Sequence, residues 1–369
     1  MQEEKIRIDG STGGGSILRI SMAFSILFQV PIEIINIRAK RSQPGLKQQH
    51  LQGVVALTKI CNGKIKGAKI GSKRIEFYPG DEIKKEVSIK IPTAGSVGLV
   101  LYPIILASKR FGEIKIEING GATFGKWAPP ITFLQNITFP MLKKIGINVE
   151  MNIKRHGFYP KGGASVDAFV KAKDIKQLYL EEFGDVIKIK GISISSKDLK
   201  ERRVAERQIE GFLKRFSEEV EEIENEKSED ENLKNEKIKK IKEIKPEISL
   251  EYVDSFSSGS CITAWIETNN TIIGSDALGE FGVKAEDVGR NACKEIMEDI
   301  KSFVTADKHL ADQIIPFLFL SKGSLIVREI TEHIENSILI SQIFTKKKAI
   351  IKDIKCNGRE CKKIEIFEE

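Results

Sequence analysis

Two short stretches of this 369-residue chain concentrate groups able to handle phosphate. In the first, Gly13, Gly14 and Gly15 precede Ser16 at the head of an apolar run. Consecutive glycines let a backbone approach phosphate closely, and the free N–H groups of a helix start point toward an anion. The spacing is neither the Walker pattern nor the dinucleotide fingerprint, and a tight strand-to-helix turn uses the same residues. Arg19 follows one turn later, where a cation serves equally as a surface or salt-bridged residue. In the second stretch Arg38, Lys40, Arg41, Lys47, Gln49 and His50 surround Pro44-Gly45. Guanidinium forks grip phosphate oxygens in pairs. Surface basicity is the competing reading, and His50 falls in helical phase with Leu46, Val54 and Leu57, as a histidine at the core edge does.

Composition limits what these residues can belong to. At 41% hydrophobic and 30% charged, the chain is long enough for a large core with an extra domain and too apolar for general disorder. No window approaches about 18 uncharged apolar residues, and MQEEKIRIDG lacks the cationic and apolar regions of a signal peptide, so a cytoplasmic protein is expected, with no membrane contact. The five cysteines are scattered, with no histidine near the one close pair, Cys356 and Cys361, and are expected to be reduced thiols rather than a zinc site. A formal charge of +7, from 59 basic and 52 acidic residues, permits an RNA ligand without requiring one. Residues 217–245 are nearly all Glu, Lys, Asp and Asn and read as a solvated helix or loop that the chemistry does without.

The elements that must position these groups form an α+β pattern. Strand (5–8), helix (16–28), strand (32–37), helix (46–61) and two strands are followed by the same order: strand 87–91, helix 97–109, strand 113–118, helix 131–145 and strands at 149–153 and 164–170. The two βαβαββ units lie about 80 residues apart. A third, less complete copy begins near Asp307, with a helix through HLADQIIPFLFL, a strand at 324–330, a helix at 334–344 and two closing strands. Residues 1–185 and 305–369 are therefore expected to form a body of repeats, and 186–304 an inserted α/β domain carrying the charged run. Strand-to-helix junctions at corresponding ends of the units would turn helix N-termini toward common clefts suited to a polyphosphate.

IDGSTGGGSILR, IRAKRSQPGLKQQHL, PTAGSVGLVL, RHGFYPKGGAS, RRVAERQ, SDALGEFG and DKHLADQ resemble, in that order and over almost the whole chain, landmarks of the RNA 3'-terminal phosphate cyclase family. The resemblance implies repeats like the C-terminal domain of a bacterial translation initiation factor plus a small inserted domain. It also implies a ligase-type reaction of RNA processing, in which a histidine takes AMP from ATP, passes it to an RNA 3'-phosphate, and the vicinal 2'-oxygen then displaces AMP to leave a 2',3'-cyclic phosphate. His333 in TEHIENSI matches the family's nucleophile. By the same resemblance Arg19, Arg38 and Arg41 meet phosphate charge together with a divalent metal, magnesium or manganese. Asp312 and Gln313 match nucleotide-side positions, Gln49 and His50 match polar positions of the same active site, His309 stands where relatives can carry an aromatic ring near adenine, and Pro129 and Pro130 offer another adenine wall.

The chain departs from the family in the glycine loop, which reads DGSTGGGS where relatives carry a glutamate in DGS-x-GEGGGQ. With that carboxylate missing, Asp312 is the expected metal ligand. Asn336-Ser337 also stands where relatives often place Thr-Asn. Two other classes are compatible with such departures: a noncatalytic cyclase-like RNA-binding protein of ribosome biogenesis, and a small-molecule transferase on similar repeats, like the enolpyruvyl transferases, which needs an anion cleft but no nucleophilic histidine.

Overall fold

Isoleucine-rich segments with period-two burial pair as strands, and each sheet buries one face under helices. The computed structural model describes residues 5–225 and 240–368. The first sheet takes β1 (Ile6–Asp9), β2 (Ile32–Ile35), β3 (Lys64–Lys66) and β4 (Ile75–Tyr78), with α1 (Ser16–Phe28) and α2 (Gln48–Ile60) between its strands. The second takes β5 (Glu86–Ser96), β6 (Glu113–Ala122), β7 (Ile147–Arg155) and β8 (Ser165–Ala172), with α3 (Val97–Phe111), then α4 (Ile131–Phe133), a π-helical turn (Leu134–Thr138) and α5 (Phe139–Lys144). After β9 (Leu178–Tyr179) comes a separate group: β10 (Val186–Ser196), α6 (Val204–Asn225), β11 (Glu247–Val253), β12 (Ser260–Thr268), β13 (Ile272–Leu278) and α7 (Ala285–Lys301). The chain then returns through α8 (Lys308–Leu318), β14 (Gly323–Val327), α9 (Glu332–Phe344), β15 (Lys347–Cys356) and β16 (Arg359–Glu368).

Strand orders are β1-β2-β4-β3, β5-β6-β8-β7 and β9-β14-β16-β15, each with a parallel first pair and antiparallel partners beyond it. The third sheet corrects the sequence reading, which began that unit near Asp307: its first strand is β9, on the other side of residues 186–304. Two residues are too few to carry a hydrophobic period, which is why the strand escapes notice. The fourth sheet, β11-β10-β12-β13, has a different order and is covered by α6 and α7 around its own cluster of buried side chains. These two helices cross closely because glycine lies at each contact: a Cβ on Gly211 would stand 2.0 Å from the Glu286 carbonyl oxygen and one on Gly289 1.9 Å from that of Gln208.

Helix α1 is the hub. It is buried on nearly every side, since it packs against α3 of the second sheet and α9 of the third. The apolar clusters of the first two sheets are continuous, and a second cluster joins the α4–α5 segment to α8, α9 and the third sheet. Among the described residues no helix is long and apolar enough to cross a membrane. The five cysteines are unpaired, and four of them are buried.

The charged run is not uniformly solvated, contrary to the expectation from composition. Its first part continues α6, burying Val220 and Ile223, and Ile241 is buried beyond it. Glu219 is fully enclosed, with Lys301 at 2.6 Å and Arg215 at 2.5 Å answering its charge. The remainder, 226–239, lies outside the described residues. Replacing 217–245 with a short Gly/Ser linker is therefore expected to destabilise the fourth sheet, because each buried Val or Ile contributes about 1.5–3 kcal/mol. Calorimetry of the linker variant beside the parent checks this.

Candidate active site

The glycine stretch leaves the end of β1 and starts α1, with Gly15 as the N-cap. Its backbone there is ordinary (φ −110°), so glycine is required for space rather than conformation. A Cβ on Gly15 would lie 2.5 Å from His50 Nε2 and 2.7 Å from an Arg19 terminal nitrogen. Gly14 adopts φ 51°, with the Arg41 guanidinium close by. The loop, Arg19, Arg41 and His50 thus enclose one recess, although the two stretches that supply them are separated in sequence.

His50 sits in the first turn of α2, and its Nδ1 accepts a hydrogen bond from the Lys47 backbone N–H at 3.2 Å. The neutral ring accordingly carries its proton on Nε2, toward the glycine loop. Burial, followed by the charges of Arg19, Arg38 and Lys47, lowers its pKa to about 3, so the ring is a neutral donor at working pH. His50 is buried at the core edge, and its ring borders the recess. Arg19 is partly buried, and its Nε is enclosed without a partner. Burial lowers its pKa, while the charges of Asp312 and Tyr102 raise it.

Arg38 is more committed than expected. It has φ 56°, and one terminal nitrogen of its buried guanidinium donates to the carbonyls of Gln43 (2.8 Å) and Gly45 (2.9 Å), so it organises the 43–45 turn. Arg41 is exposed and pairs with Glu332 at 3.3 Å. Gln49 is half-buried, its Cβ 3.0 Å from where a Cβ on Gly95 would stand, which brings the end of β5 against the start of α2.

The third sheet meets this recess through α9. Thr331 caps that helix, and His333, in its first turn, is exposed. Thr12 donates to Asn336 Oδ1 at 3.0 Å, tying the glycine loop to α9. An open cavity of about 630 Å³ lies between them, lined by Thr12, Lys40, Arg41, Glu332, Glu335 and Asn336. Asp312 on α8 accepts from Ser337 at 2.9 Å. Burial pushes its carboxyl up, against the pull of His333, Ser337 and Arg19, so these groups share one electrostatic neighbourhood. Gln313 is buried, accepts from Thr138 at 2.8 Å and leaves its Nε2 unpartnered. His309 lies edge-on to Phe133 with ring centroids 5.7 Å apart, and Pro130 is the buried N-cap of α4 just ahead of that phenylalanine. Burial and Lys308 lower the pKa of His309 to about 4.

Sequence reasoning missed Tyr102 and Glu332. Tyr102 donates to the Gln313 carbonyl at 3.0 Å and stands near Arg19 and Asp312, but in sequence it is one ring in an apolar helix. Thr12 and Asn336 were visible only as parts of motifs. As for a metal, no group of three or more His, Cys, Asp or Glu side chains is gathered to hold one among the described residues. Around the glycine loop the donors are cations and N–H groups, the carboxylates of the adjoining cavity are Glu335 and Glu332, the latter paired with Arg41, and Asp312 lies within the electrostatic reach of Arg19. This donor set fits an anion and does not make a metal centre.

Two outcomes follow. Gly15→Ala should push the His50 ring and the Arg19 guanidinium out of place and weaken the binding of inorganic polyphosphate at least tenfold, measured by titration calorimetry, because the new methyl group occupies the recess. The His50 ring should resist protonation down to about pH 3, as observed by imidazole NMR. Since its folded pKa lies below the unfolded value of about 6.5, its neutral form contributes stability above that pH which is lost as pH falls toward 3. The stability gap between the parent and His50→Gln should narrow over that window.

Residues 11–351 match the RNA 3'-terminal phosphate cyclase family. A protein of that name from Pyrococcus furiosus is 40% identical over 348 residues, 92% of this chain and 94% of the relative. Relatives with the same name from Thermococcus kodakarensis and Methanothermobacter thermautotrophicus are 39% and 34% identical, covering 92% and 93% of this chain and 93% and 95% of their own. With the family match running through residues 11–351 and relatives aligned over more than nine-tenths of its length, the chain belongs to the RNA 3'-terminal phosphate cyclase family.

Proposed function

We propose that the protein uses ATP to convert an RNA 3'-terminal phosphate into a 2',3'-cyclic phosphate, with His333 as nucleophile. An imidazole nitrogen of His333 forms a bond to the α-phosphorus, and pyrophosphate leaves with the electron pair of the broken P–O bond. An oxygen of the RNA 3'-phosphate then attacks the same phosphorus, and the N–P electrons return to the ring. Finally the 2'-hydroxyl oxygen attacks the terminal phosphorus, its proton is lost to solvent, and AMP departs.

The observation that carries this reading is the joining of the glycine loop and of the basic loop after β2 to the first turns of α9, through Thr12–Asn336 and Arg41–Glu332, which sets the cationic recess against the helix turn that carries His333. In it Arg19, Arg38 and Arg41 neutralise phosphate charge, His50 donates from Nε2, and Gln49 and Gln313 supply further polar contacts. His309 and Pro130 flank the base. Asp312 orients His333 and balances Arg19. A divalent ion, where one takes part, would draw its ligands chiefly from nucleotide phosphates and water, and no step here depends on it.

On the same reading, the three sheets of shared order are copies of one βαβαββ unit of the initiation-factor type. They form a catalytic body from residues 1–185 and 305–369, with 186–304 as an inserted domain, and the enzyme works in the cytoplasm on RNA ends.

Incubation with ATP should add one AMP to the peptide containing His333, as an acid-labile, base-stable label detected by mass spectrometry. His333→Ala should lose it entirely while keeping its melting temperature. Normal labelling of that variant would reassign the nucleophile, and a parent that never labels would favour the noncatalytic RNA-binding class.

A further inference from the structure

Four loops meet on one face beside the proposed nucleotide site, and each ends in a large ring turned to solvent. They are residues 123–130, 156–163, 255–260 and 279–283. The first two are joined by Thr123 N–H donating to the Gly157 carbonyl at 2.9 Å, the second and third by Lys161 N–H to Ser257 Oγ at 3.1 Å, and the third and fourth by Gly279 N–H to the Ser260 carbonyl at 2.8 Å. A salt bridge of 2.9 Å between Lys126 and Glu280 closes the ring of contacts. Underneath, Phe124 stacks on His156 (5.2 Å) and Phe158 (5.0 Å), so the loops rest on a packed base.

Their tips carry Trp127 at 95% exposure, Tyr159 at 76%, Phe256 at 53% and Phe281 fully exposed. A chain that buries Phe24, Phe77 and Phe133 completely has no folding reason to leave four rings in water on adjoining loops. Trp127 is held there against local preference, with φ 63°, a region that a bulky side chain rarely adopts. Cations lie among the rings rather than around them. The Arg155 guanidinium covers the Phe256 ring at 4.4 Å, and Lys161 is exposed and forms no ion pair among the described residues. The surface is also continuous with the site: loop 123–130 runs into Pro130, whose helix places Phe133 against His309.

We propose that this face is a stacking platform for single-stranded RNA, holding the nucleotides that precede the reacting 3' end. The inference rests on the cyclase reading above and extends it to how the polymer is gripped. Exposed rings offer π-faces to successive bases without reading their identity, and interleaved Arg and Lys meet the backbone phosphates. A protein interface would deplete lysine from its centre, whereas Lys161 lies exposed among these rings. The pairing of Lys126 with Glu280 spans the second and fourth sheets, so residues 186–304 take part in gripping the polymer by carrying Phe256 and Phe281 to it.

The test uses full-length protein, ATP, and two 3'-phosphorylated RNAs, a dinucleotide and an oligonucleotide of about ten residues, the length several stacked bases require. Trp127→Gly, which removes the ring and relieves the backbone, is combined with Phe281→Ala. The double variant should label itself with ATP alone at the parent rate and keep the parent KM for the dinucleotide. Its KM for the longer RNA should rise about tenfold, the factor expected for losing at least one base stack. In the parent the longer RNA should quench the emission of Trp127, while Trp265, which is buried, stays silent. A parent that fails to label overturns the cyclase reading and the platform with it. A parent that labels, with a double variant as tight as the parent for both RNAs, overturns the platform alone. A drop in sedimentation mass in the variant with unchanged RNA affinity would assign the face to a second copy of the chain and likewise overturn it.

Discussion

A guanidinium carried toward the middle of the protein on a helix that is apolar nearly all round sets the terms for everything around it. Arg19 stays charged although burial opposes it, its Nε has no partner, and the neighbouring Asp312 is itself pushed toward its neutral form. A buried charge without a full complement of partners is unfavourable by several kcal/mol as an order of magnitude. An incoming phosphate supplies both the charge and the acceptors. Gly15 leaves room for it, and His50, held neutral, offers an N–H without adding a further positive charge beside Arg19 and Arg38. The recess is thus preorganised for an anion by groups that are poorly satisfied without one.

Because α1 is wedged between α3 and α9, the three sheets that share an order cannot shift independently of the recess. The fourth sheet is tied in as well. Asp307, the N-cap of α8, accepts from His309 and Leu310 within its own helix and from Gly274 N–H of β13 at 3.0 Å. Thr132 and Thr263 share a hydrogen bond of 2.6 Å between α4 and β12. The helix start that presents His309, Asp312 and Gln313 is therefore held partly by residues of 186–304, which act as a buttress rather than an appendage.

Much of this was legible from residue order alone. The helix at 16–28 coincides with α1, and the basic cluster after β2 borders the recess, because glycines, arginines and period-3.6 burial are local signals. What escaped depended on contacts distant in sequence. Arg38 resembles a free phosphate ligand in a string of basic residues, yet it spends two hydrogen bonds on its own turn. Tyr102 is indistinguishable from core until Gln313 is brought to it across 211 positions. The charged run misled for the opposite reason: its few apolar residues are sparse in composition but fall on the inner face of α6.

The placement of β9 bears on how the chain reaches its shape during synthesis. The first two sheets use only residues up to Ala172, so they can close while the rest is still being made. Leu178 and Tyr179, by contrast, must wait for Gly323 and Ser324, and the sheet they begin is complete only with β16. In that interval the buried face of α1 that α9 will cover remains open to water, and residues 186–304 fold between two strands that have not yet met. The cavity between the glycine loop and α9 is therefore completed only once the third sheet has closed, although the loop, Arg19 and His50 belong to the part of the chain made first.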